Sequence, residues 1–130
     1  MTAFSNYLEN EFLDHLRGNA YSVPAGLYLG LYTSDPTDAD TGNELPLDET
    51  GYTRQAVTFI APTTGFIDNS AAVQFTASGG DWGTISHAAV FDGTGAADNM
   101  LWHEALSASK VVSDTDTLTF ASGSVTLSLD

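Results

Sequence analysis

The sequence predicts a mainly β protein: one antiparallel β-sandwich, jelly-roll-like, with a single N-terminal amphipathic α-helix. Three observations carry this. Apolar residues recur with a helical period up to Gly18 and with a period of two after it. The later segments are short, rich in Thr, Val, Phe and Tyr, and punctuated by Gly, Asp, Asn and Ser. No second helical pattern exists to make the crossovers of a parallel sheet. The 130 residues suit one domain, with 1–18 as the helix and 19–130 as the sandwich.

The helix rests on Phe4, Leu8, Phe12 and Leu16, four apart, which form one slowly drifting stripe with Met1 inside it. Gly18-Asn19 stops it, because both residues tolerate a left-handed cap. A helix this short is marginal alone, so its stripe must pack against something. Leu27, Leu29 and Leu31 then alternate with Tyr28, Gly30 and Tyr32. Thr53, Gln55, Val57 and Phe59 share a face, and Val73 and Phe75 alternate with polar neighbours. Ile85, His87, Ala89 and Phe91 lie opposite Thr84, Ser86, Ala88 and Val90. Met100 to Leu106 is mostly apolar; Leu118 and Phe120, then Val125, Leu127 and Leu129, complete the strands. Asp92-Gly93 and Ser122-Gly123 suit tight hairpin turns. The stretch Thr33 to Gly51, with Pro36, Gly42, Pro46 and many acids, reads as one long loop.

Hydrophobic residues make up 42% of the chain, enough for a core. Seventeen acidic residues against three basic ones give a net charge of −14. That argues against a nucleic-acid partner, which needs Lys and Arg to displace counterions, and against an anionic membrane surface. No apolar run is long enough to span a bilayer, and no basic stretch leads into an apolar one at the N-terminus, so no secretory signal is expected. The absence of cysteine excludes disulfides, thiolate catalysis and Cys-ligated zinc.

Candidate sites are few. The loop holds Asp35, Asp38, Asp40, Glu44, Asp48 and Glu49. Asp35, Asp38 and Asp40 are the calcium candidates, since calcium collects six to eight oxygens. Counting from Asp38, however, Gly42 stands where the fifth-position ligand of an EF-hand belongs. A solvated, self-repelling loop is the ordinary explanation, and no cofactor is otherwise expected. Glu11 and His15, four apart, suit a mutual hydrogen bond; buried together at a contact, they would make that contact sensitive to pH. Ser86-His87 and His103-Glu104, with Asp81 or Asp92, suggest a hydrolase. Neighbours on a regular strand face opposite ways, however, so Ser86 and His87 are not expected to pair, and no nucleophile elbow is present. Trp82 and Trp102 suit either a sugar-stacking platform or a core. Arg54, one of so few cations, is expected to hold a carboxylate of the preceding loop in a bidentate pair.

The strings SNYLENEFLDHLRG, LYLGLYTSDPTDADTGNEL, GYTRQAVTF, WGTISHAAVFD and KVVSDTDTLTFASGSVTLSLD follow one another from Ser5 to Asp130. Together they resemble a family of small virion proteins of tailed bacteriophages, described as tail or tail-fibre proteins. The resemblance implies a non-enzymatic structural protein in the virion, with no catalytic residue. It would be displayed on the exterior as a multi-copy decoration, turret or fibre element, or as a tail or baseplate component that binds host carbohydrate. Other virion proteins, major capsid or tail proteins, are the expected partners, and a homo-oligomer is expected. Identical chains this acidic repel one another, so assembly requires an apolar contact. Phe4, Leu8, Phe12 and Leu16 are the candidate interface, unless the stripe only covers the sandwich.

Overall fold

The computed structural model describes residues 3–129. Strand β1 is Ala3–Phe4 and helix α1 is Asn6–Leu16, followed by β2 (Leu27–Tyr32) and β3 (Gln55–Val57). Then come β4 (Phe66–Asp68), β5 (Val73–Thr76), β6 (Gly83–Phe91), β7 (Met100–Val112), β8 (Thr117–Phe120) and β9 (Thr126–Ser128). Every strand pairing is antiparallel. One sheet has five strands in the order β1-β7-β6-β2-β3; β4-β9 and β5-β8 are two separate pairs.

These elements form two layers. Leu29, Leu31, Ile85, Ala88, Val90 and Trp102 from the large sheet share one buried cluster with Val73, Phe75 and Leu118 from the β5-β8 pair. Burying such side chains face to face is what holds a sandwich together, at about 25 cal/mol per Å² of apolar surface. The opposite face of the large sheet buries Tyr32, Ala89, Phe91 and Met100. Both faces of β6 are therefore covered, which explains its near-continuous apolar run from Ala88 to Phe91.

The N-terminal stripe divides between two elements. Phe4 lies on β1, opposite Trp102 of β7, and not on the helix. The helix begins where the Ser5 hydroxyl accepts the Leu8 N–H at 3.2 Å, an N-cap that ends the strand. At the other end Gly18 has φ +105, and the Asn19 N–H closes on the Asp14 carbonyl at 2.9 Å. Leu8 is 5% exposed, Phe12 is half-buried, and Leu16 is 81% exposed. The predicted stripe thus covers the sandwich with its first half and faces solvent at its end. Met1 lies outside the described residues.

Asp92-Gly93 does not form a tight turn, whereas Ser122-Gly123 does, with the Ser124 N–H on the Ala121 carbonyl at 3.0 Å and Gly123 at φ +80. The β6–β7 connection runs from Asp92 to Asn99, closed by the Asp92 N–H on the Asn99 carbonyl at 3.1 Å. Ser122-Gly123 joins strands that belong to different pairs. Buried Asn69 organises that corner: its amide donates to the carbonyls of Ala71 and Ala121, each at 2.9 Å, and its oxygen accepts the Val125 N–H at 2.8 Å. The expected Thr53–Phe59 strand is shorter than its pattern, since only Gln55–Val57 is paired and Phe59 makes an isolated bridge to Asn69.

The strand β7 runs on to Val112, well past Leu106. Ile85 pairs with Lys110 and His87 with Ala105, so β7 takes five steps where β6 takes two. This wide bulge breaks the expected alternation of β6: Ile85 joins Ala88 and Val90 in one cluster, whereas Ala89 and Phe91 lie in the other.

Candidate functional site: a clamped loop and an apolar groove

The acidic loop is fastened to the outer face of the large sheet by Arg54. Its Nε and Nη2 donate to the two carboxylate oxygens of Glu44, both at 2.8 Å, and its Nη1 donates to the carbonyls of Gly93 and Gly95 at 3.1 and 2.7 Å. The guanidinium lies 3.4 Å from the Phe91 ring centre. The expected bidentate partner is therefore Glu44. Tyr52 completes the arrangement, donating its hydroxyl to Glu44 at 2.8 Å while accepting the Leu31 N–H at 3.0 Å. A Cβ at position 30 would stand 2.8 Å from the Phe91 ring and 3.1 Å from both Glu44 and Tyr52, so only glycine lets the loop approach the sheet there. Burial, above all, pushes the Tyr52 and Tyr32 hydroxyls far above the usual phenol range, and the neighbouring carboxylates add to it.

The calcium candidates do not converge. The Asp35 carboxylate accepts the Thr37 N–H at 2.9 Å, Asp38 meets His103 Nε2 at 2.9 Å, and Asp40 accepts the Tyr32 hydroxyl at 2.5 Å. No group of three or more His, Asp or Glu side chains among the described residues is placed to hold a metal ion. Each of these three carboxylates has a protein partner, and Asp35 also lies 3.9 Å from His103 Nδ1.

The histidines also differ from expectation. His15 does not bond Glu11; its Nδ1 accepts the Tyr21 N–H at 3.2 Å, on the exposed side of α1. The bulge brings Ser86 Oγ within 2.8 Å of His87 Nδ1, a contact that a regular strand forbids. Neither candidate acid orients that pair: Asp81 accepts the Asp114 N–H, and Asp92 binds Asn99. His103 pins Asp38 instead, beside the Asn6 N–H that bonds the Asp38 carbonyl at 2.9 Å. Trp82 and Trp102 are 6% and 1% exposed, so neither is a surface platform.

An open apolar feature lies at the helix. Phe4, Leu8 and Phe12 form one wall of a groove of about 290 Å³. Leu27 and Leu101 of the large sheet make its floor, and Phe66, Leu127 and Leu129 the far wall. Edge-to-face contacts of Phe12 with Phe4 at 5.8 Å and with Tyr21 at 6.1 Å fix the helical wall. No lining residue is charged, in a chain of net charge −14. Three of the four candidate interface residues thus meet in one place, and Leu16 lies apart from them. The β4 and β9 contributions were hidden in the sequence, because nothing local says that Phe66 and Leu127 face the helix.

The comparisons with known proteins agree with a structural reading. No curated protein matches the chain. A family described as podophage GP4 fiber I protein gp80 matches residues 3–128, nearly the whole chain. A β-sandwich whose conspicuous open feature is an apolar groove, matched end to end by one phage fibre family, belongs to that family.

Proposed function

We propose that this chain is a non-enzymatic fibre element on the outside of a phage particle, present in several copies and docked to another virion protein through the groove beside α1. The uncharged groove supports this reading most directly. Elsewhere the acidity of the chain discourages close approach of identical copies, whereas an apolar concavity gains free energy wherever a partner removes it from water. The contact between copies is assigned to Leu13 and Leu16, three apart on α1 and both mostly exposed. The carbohydrate reading gains no support from Trp82 or Trp102 as stacking platforms, since both are buried.

Gold-labelled antibody against the chain on intact particles tests the location, with label expected at fibres projecting from the surface. Label confined to the particle interior, or absent, would overturn the proposal. Sedimentation of the purified chain tests the copy number, and a strictly monomeric protein at all concentrations removes that part.

A further inference from the structure

The bulge in β7 encloses a second, different cavity. Alternate residues of a strand share a face. Trp102 lies in the core and Leu106 packs against it, so Glu104 between them faces the same way. Leu106 to Ser109 have no partner residues on β6. Between this unpaired stretch and β8 lies a cavity of about 350 Å³, lined by Trp102, Glu104, Leu106, Lys110, Phe120 and Ser124 among others. That is at the small end of the roughly 300–1,000 Å³ of ordinary ligand pockets.

The polar ends of Trp102, Glu104 and Lys110 have no partner among the described residues, whereas the Ser124 hydroxyl donates to the Ala121 carbonyl. Trp102 Nε1 is the one buried side-chain polar atom without a hydrogen-bond partner among the described residues. Other buried polar side chains, such as Arg54, Asn69 and His103, are all bonded. Glu104, half-buried, has no hydrogen-bond or ion-pair partner among the described residues, and burial pushes its carboxyl up. Arg17 and Arg54 are in ion pairs, with Asp14 and Glu44, while Lys110 has none among the described residues. An orphaned buried donor calls for an explanation, and here it shares a strand face with an inward carboxyl two residues away.

We propose that this cavity binds one neutral sugar ring, with one hydroxyl accepting the Trp102 indole N–H, another donating to Glu104, and the C–H face lying on Leu106 and Phe120. The chemistry selects this class. An anion meets the Glu104 carboxylate and the acidic chain around it. A cation meets Lys110 and an N–H donor. A purely apolar ligand leaves both Trp102 and Glu104 unmet, and burying polar groups without partners is costly. A hydroxyl is both donor and acceptor, so a vicinal pair answers both groups. Trp102 is 1% exposed, so binding requires the unpaired 106–109 stretch to shift outward and let the ring reach it.

Two-dimensional NMR of protein labelled with ¹⁵N-tryptophan tests this on the wild-type chain, whose two indole peaks are assigned with Trp82→Phe. Methyl glycosides of glucose, galactose, mannose and N-acetylglucosamine are the probes, with polysaccharides carrying the same sugars as a second arm. At least one sugar should move the Trp102 peak saturably, near about 1 mM, while Trp82 stays still. Glu104→Ala should weaken that response about tenfold or more. Response to free glycosides alone marks a small-molecule site; response in both arms marks a terminal sugar of a glycan. No movement with any probe, an equal response to glycerol, or an unchanged response in Glu104→Ala overturns the proposal.

Discussion

The outer face of the large sheet and the groove beside α1 solve opposite problems. At the clamp, charged and polar groups are buried and every one is answered: Arg54 by Glu44, Gly93, Gly95 and the Phe91 ring, and Tyr52 by Glu44 and Leu31. At the groove, apolar side chains line an opening that no described residue fills. A saturated polar network has no capacity left for a partner, so it serves the fold. An uncovered apolar concavity contributes little to the fold and much to association. On the proposed reading, the difference separates residues that hold the fold from residues that would meet a partner.

Arg54→Ala is the strongest way to break the first half of this comparison. Removing one member of a buried pair strands the other, so unfolding should become easier by about 3–5 kcal/mol. Urea denaturation measures this, and limited proteolysis should cut within the loop of residues 33–51. Wild-type cleavage rates in that loop would contradict the clamp. Ser5→Ala tests the helix that walls the groove, with an expected loss of about 1 kcal/mol from the missing N-cap; thermal unfolding reads it.

Alkaline titration compares the regions within one experiment. Desolvation, first, and then Tyr7, Asp92 and Glu11 push the Tyr21 phenol up to about 12; desolvation, with Asp40 and Glu44 at Tyr32 and Glu44 at Tyr52, pushes those two phenols higher still. The folded state therefore holds protons that the unfolded chain releases at its ordinary phenol value. The stability they contribute is complete below about pH 10 and is lost as the pH rises toward 12. Phenolate absorbance from Tyr32 and Tyr52 should rise together with unfolding, and an earlier independent rise would show the clamp to be open. Leu129→Glu should change stability least, by about 0.5 kcal/mol or less at an exposed site. It should nonetheless abolish incorporation into particles, as judged by immunoblot of purified virions. Normal incorporation would remove the groove from assembly. Leu16→Ser should disperse copies of the chain without disturbing that docking.

Local pattern determined a good deal here. The change of apolar period at Gly18 marks helix against strands, and the alternation in Leu27–Tyr32 and in Thr117–Phe120 places strands correctly, because each depends only on neighbouring residues. Arg54 stood out because an isolated cation in so acidic a chain must find a carboxylate. Tertiary structure decided the rest. Thr37, Asp40, Asp48 and Thr50 adopt positive φ, with values from 48 to 62, in a backbone region that such residues avoid unless distant contacts hold them. The bulge opposite Ser86, the Asn69 corner and the groove that Phe12 and Leu127 both line bring together residues far apart in the chain. Local propensity cannot encode such meetings; they follow from which arrangement buries the most apolar surface while leaving the fewest polar groups unanswered.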